Sequence, residues 1–282
     1  MTVLESIKLS ADYLDKKGIE SPRINAELML AHILDCKRLD LYLSFDRPLS
    51  EEEVSRYRSY LKRRGEFEPL QYILGSVEFY GLPFAVNSSV LIPRQETEIL
   101  VEEIINRYRS KENLAILDIG TGSGNIAVSL ARSLPGSVLT AIDISKGALE
   151  LAEKNAVMNK VENQIKFIQH DILNNGTFGG GFDIIVSNPP YVSMKEFEEL
   201  RPELKVYEPR HALTDDSDGL IYYRAIISKS VAMLKPGARL FFEIGAGQAE
   251  DVKIIFVQNN FSGVEITNDY LGIQRVIMGE LS

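Results

Sequence analysis

The chain has 282 residues, enough for one large domain or two ordinary ones, and its 45% hydrophobic and 25% charged fractions are those of a globular protein with a sizeable core. With 31 Lys and Arg against 40 Asp and Glu the net charge is −9, which argues against stable, sequence-independent nucleic-acid binding. No apolar run reaches the length of a membrane span, the N-terminus lacks the basic and apolar regions of a signal peptide, and the single Cys36 sits in a helical pattern, so a reduced, cytoplasmic chain that avoids membranes is expected.

The first eighty or so residues read as helical. Val3, Leu4, Ile7, Ala11 and Leu14 recur at helical spacing, and Gly18 supplies a stop. Ser21-Pro22 predicts a second helix with an N-cap and proline at its first position, carried by Leu28, Leu30, Ile33 and Leu34. Ser50 and Glu53 form a capping box for a third helix running through Leu61 to Gly65. Within it Arg56, Arg58, Lys62, Arg63 and Arg64 make a basic segment, either a solvated face or a docking surface.

After Gly75 the period changes to two. Val77, Phe79, Leu82, Phe84 and Val86 alternate around Tyr80-Gly81, which predicts a β-hairpin. The expected organisation is a helical substrate-binding domain over 1–75, a hairpin hinge over 76–90 with the boundary near residue 86, and a second domain over 91–282. Residues 1–88 carry 12 Lys/Arg and 14 Asp/Glu, the remainder 19 and 26, so the acidity belongs mainly to the larger part.

From about residue 113 strands and helices alternate, the signature of a doubly wound parallel sheet. Strands are expected over 115–119, 138–142, 165–169, 182–187 and 239–244, with a late pair over 264–267 and 275–278. Helices are expected over 126–134, 148–158, 219–234 and 248–258. His32, His170 and His211 are scattered with no metal-ligand spacing, and none is assigned as a base.

Chemistry collects at the strand ends. Leu117-Asp-Ile-Gly-Thr-Gly-Ser-Gly124 falls where the first strand turns into its helix, and Gly120, Gly122 and Gly124 permit a tight turn close to a ligand. Asn125 stands where a dinucleotide fingerprint wants Gly or Ala, which weakens a pyrophosphate reading. Asp143, ending the next strand, can accept from both hydroxyls of a ribose. Asp171 can accept from an adenine amino group while the Ile172 N–H donates to a ring nitrogen. A helix cap is the simpler alternative for each acid taken alone, and the three strand ends in sequence favour ligand binding.

Asn188-Pro189-Pro190-Tyr191 closes the buried run Phe182-Asp-Ile-Ile-Val-Ser187, and two prolines forbid its continuation. A side-chain amide, a proline carbonyl and an aromatic ring there suit a flat NH2-bearing group. A plain turn is the simpler alternative.

These features together resemble the class I S-adenosylmethionine-dependent methyltransferases, and more closely the HemK/PrmC family of protein-(glutamine-N5) methyltransferases. The resemblance also rests on Pro69-Leu-Gln-Tyr-Ile-Leu-Gly75, Ile92-Pro-Arg-Gln-Glu-Thr-Glu98, Tyr207-Glu-Pro-Arg-His-Ala-Leu213, Asp218-Gly-Leu, Leu234-Lys-Pro-Gly237 and Tyr270-Leu-Gly-Ile-Gln-Arg-Val276, and so covers nearly the whole chain. Ala238 departs from a second glycine that the family often has, with no functional consequence. The resemblance implies an α/β, Rossmann-like methyltransferase domain with a small N-terminal helical domain joined by a hairpin. It implies S-adenosylmethionine held by Gly120, Thr121, Gly122, Ser123, Gly124, Asp143, Asp171, Ile172 and Asn188. Asn188, Pro189, Pro190 and Tyr191 would hold the substrate, with Asn188, Pro189 and Tyr191 catalytic. The implied substrate is the glutamine of the Gly-Gly-Gln motif in peptide chain release factors, with a ribosomal-protein glutamine as a sister possibility. Arg94, Glu98, Glu208 and Arg210 match family positions near the site, although structural ion pairs would explain them as well. A monomer is expected.

Rival readings remain. An adenine-N6 methyltransferase would share the tetrad but would need a basic recognition region. A turnover-free binding module would not need a complete clamp, and a nicotinamide oxidoreductase is disfavoured by Asn125.

Overall fold

Local capping starts two of the four N-terminal α-helices. Thr2 and Glu5 form a capping box for α1 (Val3–Lys16), which ends before Gly18. Pro22 opens α2 (Pro22–Ile33) as expected, but Ser21 makes no side-chain cap. Its backbone is left-handed, with φ 49°, and the Asn25 side-chain amide donates to the Glu20 and Ser21 carbonyls at 3.0 and 3.1 Å instead. After a 3-10 turn over Arg38–Leu43, the predicted Ser50–Glu53 capping box begins α3 (Glu51–Gly65), and α4 (Leu70–Leu74) ends at Gly75 with φ 75°.

The structure, a computed structural model, describes residues 1–174 and 179–282. It divides into two compact units, Met1–Ser76 with Arg201–Tyr207, and Val77–Leu200 with Glu208–Ser282. The first unit is cored by Leu14, Met29, Leu30 and Tyr57. Two members of its basic segment are engaged. Arg64 is buried, donating to Asn25 at 2.8 Å, to the Glu68 carbonyl at 3.0 Å, and pairing with Glu203 at 2.5 Å. Arg63 pairs with Glu68 at 2.6 Å. Arg64 is therefore a core strut rather than part of a docking face, since a buried guanidinium needs partners for its donors.

The hairpin of β1 (Ser76–Phe79) and β2 (Leu82–Ala85) turns at Tyr80-Gly81, both with positive φ. From Val77 onward the hairpin, expected as a hinge over 76–90, clusters with the second unit. Phe79 and Phe84 meet edge to face at 6.0 Å inside that unit's core. Asn155 returns both bonds to Ala85, accepting from its N–H at 2.8 Å and donating to its carbonyl at 3.0 Å. Asn159 donates to the Pro83 carbonyl at 2.9 Å.

The remaining elements alternate: α5 (Glu96–Tyr108), β3 (Ala115–Ile119), α6 (Asn125–Ser133), β4 (Val138–Asp143), α7 (Lys146–Met158), β5 (Ile165–Gln169) and β6 (Phe182–Ser187). Short α8 (Met194–Glu199), α9 (Pro202–Tyr207, within the first unit) and α10 (Arg210–Leu213) precede α11 (Ile221–Met233), β7 (Leu234–Glu243), α12 (Ala249–Gln258), β8 (Phe261–Asn268) and β9 (Gln274–Leu281). All expected strands and helices are present. The sequence reading does not include α5, although Leu100, Val101 and Ile104 bury its face completely.

The described sheet runs β5-β4-β3-β6-β7-β9-β8, parallel from β5 to β7, with β9 antiparallel to both neighbours. Ile116, Ile184 and Phe241 enter the core shared with α5 and α6, while Leu117, Ile185 and Phe242 enter that shared with α11 and α12. Strand alternation and helices on both faces thus give the doubly wound class. The strand order reverses between β3 and β6, whose last register pair is Ile119 with Ser187. Gly120 and Asn188 therefore leave the sheet side by side at its switch point, where open α/β sheets hold ligands. No described helix is long and apolar enough to cross a membrane.

Asn155 also donates to the Ser123 carbonyl at 2.8 Å, so one buried amide ties the hairpin to the glycine turn. Asn155→Ala should strand three backbone groups and lower unfolding stability by about 2–4 kcal/mol, read from urea denaturation midpoints.

Candidate active site

The carboxyl ends of β3, β4, β5 and β6 surround a cavity of about 110 Å³, far above the roughly 10–15 Å³ that a single water requires. Its wall includes Gly120, Thr121, Gly122 and Ser123 after β3, Asp143 at the end of β4, Asp171 and Ile172 after β5, and Asn188, Pro189 and Pro190 after β6. Four segments separated in sequence meet there because the parallel strands all end on one edge.

The glycine turn is held from beneath. Gly120 and Thr121 N–H donate to the Ile142 carbonyl at 2.9 and 3.0 Å, and Gly122 N–H donates to Asp143 Oδ2 at 2.9 Å. Gly120 and Gly122 have φ of 72° and 54°, and a Cβ on either would meet nothing within 4 Å. Conformation is what demands glycine at these two positions, and the space above the bare backbone stays open. Gly124 differs: it is the N-cap of α6, it is absent from the cavity wall, and its Cβ would crowd Ala152 at 3.1 Å.

Asp143 Oδ1 accepts from Ser145 N–H at 2.8 Å, so each carboxylate oxygen holds one backbone donor and retains a second lone pair. Asp171 Oδ1 accepts from Leu173 N–H at 2.9 Å in an Asx turn beside the cavity. Both acids thus have a local structural use as well as a place on the wall.

Asn188 Nδ2 donates to Thr97 Oγ1 at 3.2 Å, which directs Oδ1 away from that contact. Among the described residues neither Asn188 Oδ1 nor the Pro189 carbonyl takes a hydrogen bond. Tyr191 lies elsewhere than expected. It is absent from the cavity wall, packs against the core under α11 and α12, and its hydroxyl reaches Glu243 Oε1 at 3.4 Å. Its carbonyl accepts from Gln248 Nε2 at 2.9 Å, and burial raises its phenol pKa well above the usual range. The ring follows Pro190 into the interior and serves as an anchor for the loop.

Sequence reasoning missed two buried acids. Glu243 ends β7 and accepts from Thr97 Oγ1 at 2.5 Å; burial pushes its carboxyl up to about 7 against the opposing pull of Thr97, Arg275 and Tyr191. Asp118 in β3 accepts from Thr121 Oγ1 at 2.6 Å, and burial pushes it up to about 7 as well, against the opposing pull of Thr121 and the Ala127 backbone. The available signal was an acid inside an otherwise apolar strand, in Ile116-Leu-Asp-Ile and Leu240-Phe-Phe-Glu-Ile.

The other family-position charges have structural partners. Arg94 lines the cavity and pairs with Glu208 at 2.5 Å, and buried Glu208 also accepts from Ile92 N–H at 3.1 Å. Glu98 accepts from Tyr80 N–H at 2.8 Å at the hairpin turn. Arg210 pairs with Asp216 at 2.5 Å and stacks 4.2 Å above the Phe197 ring.

Residues 5–75 match the PrmC N-terminal domain family, and residues 94–216 match the methyltransferase small domain. The chain is 43% identical to a release factor glutamine methyltransferase of Fusobacterium nucleatum, over 98% of this chain and 78% of that protein. A protein of the same name from Geobacter sulfurreducens is 41% identical, over 99% of this chain and 97% of its own length. One from Bacillus subtilis is 38% identical, over 98% and 96% respectively. Among solved structures, a methyltransferase from Pyrococcus furiosus superposes with a TM-score of 0.52 at 16% identity, over 71% of this chain and 89% of that one. That likeness speaks to the fold alone.

In the unfolded chain Asp118 and Glu243 ionise near their ordinary values of 3.8 and 4.5, so between about 4.5 and 7 the native state binds more protons than the unfolded one. Each group therefore lowers stability as pH rises through that window, by up to about 1.4 kcal/mol per pH unit, and adds no further slope above it. Asp118→Asn should gain stability relative to the parent as pH increases from 4.5 to 7, measured by urea unfolding across that range.

Proposed function

The chain belongs to the family of release factor glutamine methyltransferases, and from that premise we propose that it transfers the methyl of S-adenosylmethionine to the side-chain amide nitrogen of the glutamine in the Gly-Gly-Gln motif of peptide chain release factors. The observation that carries the reading is that Asn188 and Pro189 line one cavity with the glycine turn, while Asn188 Oδ1 and the Pro189 carbonyl take no hydrogen bond among the described residues. A primary amide presents two N–H donors in one plane, and two fixed acceptors match them.

When bound, the cofactor supplies an electrophilic methyl on a positively charged sulfur. The chain's own residues fit such a group: bare backbone at Gly120 and Gly122, spare lone pairs on Asp143 for ribose hydroxyls, and Asp171 with Ile172 for an adenine edge. Asn188 and Pro189 would hold the substrate nitrogen in place for attack on that methyl, so that the reaction starts from a positioned pair. The amide nitrogen is a poor nucleophile because its lone pair is delocalised into the carbonyl. Accepting both N–H bonds orients that lone pair and stabilises the positive charge that grows as the N–C bond forms. The nitrogen lone pair would form the new N–C bond, and the cofactor sulfur would take up the electron pair of the bond given up. One N–H proton departs to water, since the alkylated amide is strongly acidic and needs no buried base. Tyr191 acts by holding the loop, and Pro190 by stiffening it.

A cytoplasmic address accompanies this reading, since release factors act on ribosomes there. The acidic balance, −9 overall, supports a protein substrate over a nucleic-acid strand.

The decisive assay offers labelled cofactor to a release factor, to the same factor with its Gly-Gly-Gln glutamine changed to alanine, to ribosomal protein and to DNA. Label should enter only the first, on the glutamine side chain by mass spectrometry; label in DNA or in the alanine variant would overturn the assignment. Asn188→Ala should lower turnover by roughly a hundredfold or more while cofactor affinity changes little. Asp143→Ala should do the reverse, weakening cofactor binding by roughly tenfold or more in calorimetry, because it removes the ribose acceptor and releases Gly122.

A further inference from the structure

An asparagine can serve the clamp only with its oxygen toward the substrate. Rotated by 180° about its last bond, the same side chain would aim two donors at an NH2 group and repel it. Something behind the wall must make that choice.

Glu243 is 1% exposed and Thr97 is 2% exposed, and they touch through the 2.5 Å bond from Thr97 Oγ1 to Glu243 Oε2. A threonine hydroxyl has one proton. With that proton committed to the carboxylate, Oγ1 can only accept, and the group it faces is Asn188 Nδ2 at 3.2 Å. We infer that Thr97 and Glu243 are positioning residues of the amide clamp: carboxylate, hydroxyl and amide form a one-way chain that fixes which end of Asn188 enters the cavity. This rests on the glutamine reading above. Tyr191, on the second oxygen of Glu243, joins the same chain to the loop that carries Asn188. Thr97 belongs to the Pro-Arg-Gln-Glu-Thr-Glu motif at 93–98, for which the clamp itself gives no use.

The direction of the chain depends on an ionised Glu243. Once protonated, the acid can donate to Thr97, which frees the threonine proton to turn toward Asn188 and admits the flipped amide. The charged groups facing Glu243 are Arg275 from β9 and Glu96 from α5, with the Tyr191 hydroxyl beside them. The Tyr223 hydroxyl donates to the Glu243 backbone carbonyl at 2.9 Å rather than to its carboxylate.

The test compares the parent with Thr97→Val and Thr97→Ser, using release factor as substrate. Valine keeps the shape and loses the hydroxyl; serine keeps the hydroxyl and loses the methyl. The expected result is a kcat lowered roughly tenfold to a hundredfold in Thr97→Val, with release-factor KM and calorimetric cofactor affinity within about threefold, and a kcat restored to within about threefold in Thr97→Ser. Parent-like turnover in Thr97→Val, or equal damage in Thr97→Ser, would mean that Thr97 only packs and would overturn the inference. In the parent kcat should rise with pH through about 7, and Glu243→Gln should lose that step; the same step in the variant would take Glu243 out of the chain. A readout free of substrate is the side-chain NH2 signal of Asn188 in the cofactor-loaded protein, identified by its loss in Asn188→Asp. It should be protected from solvent exchange in the parent and in Thr97→Ser and exposed in Thr97→Val. If the parent left release factors unmethylated, the substrate assignment would fall alone, and this signal would still decide the positioning.

Discussion

The pairing of β3 with β6 is the constraint on which the site depends. Ile119 and Ser187 are the last residues in register, and the Ser187 hydroxyl donates to the Ile119 carbonyl at 2.7 Å, so the two strand ends are fixed to one another. Past that point both chains must leave the sheet, one through a left-handed glycine turn and the other through two prolines. The glycine turn and the Asn188-Pro189 step, 68 residues apart, thereby become neighbours. A slip of one residue would send every side chain of β6 to the opposite face and move the asparagine off the cavity.

Around this junction the protein carries groups that a core built only for stability would avoid. Asp118 and Glu243 are fully enclosed carboxyls, set among isoleucine and leucine over 116–119 and after leucine and two phenylalanines over 240–242. Burial disfavours their charged forms, and the bonds from Thr121 and Thr97 offset only part of that. Both threonines also line the cavity, so each acid is linked through a hydroxyl to the working surface. Destabilising groups kept one bond behind a site are what a compromise between folding and function leaves in place.

The tetrad loop is positioned from below with little slack. Gln248 donates to the Tyr191 carbonyl and accepts from Gly245 N–H at 2.9 Å. A Cβ on Gly219 would lie 2.3 Å from the Tyr191 carbonyl oxygen, and one on Gly245 would lie 3.1 Å from the Tyr191 ring. Two close approaches by glycine backbone therefore let tyrosine sink into the core while asparagine stays at the rim. On the opposite side Asn155 links the hairpin, the glycine turn and α7 through three backbone bonds. Such enclosure keeps the acceptors in place before any substrate arrives, which is where positional catalysis gains most.

Much of this was legible in the sequence because it is local. The apolar runs, the Ser50–Glu53 box, the glycine turn and the Pro189-Pro190 stop each act within a few residues, and they gave the doubly wound class and the strand ends correctly. Family resemblance added the expectation of a cofactor and of a substrate class. Helix α5 was missed although its apolar spacing was present, and Ser21 was read as a cap although its backbone adopts the left-handed region. Only the tertiary structure decided that the hairpin phenylalanines enter the second unit's core, that Arg64 is interior, that Tyr191 points inward, and that Thr97 meets Glu243 across 146 positions of chain. The physical reason is range. Propensity, capping and turn chemistry are settled between near neighbours, whereas burial, hydrogen-bond direction and the ionisation of an enclosed acid depend on which distant residues the sheet brings against them.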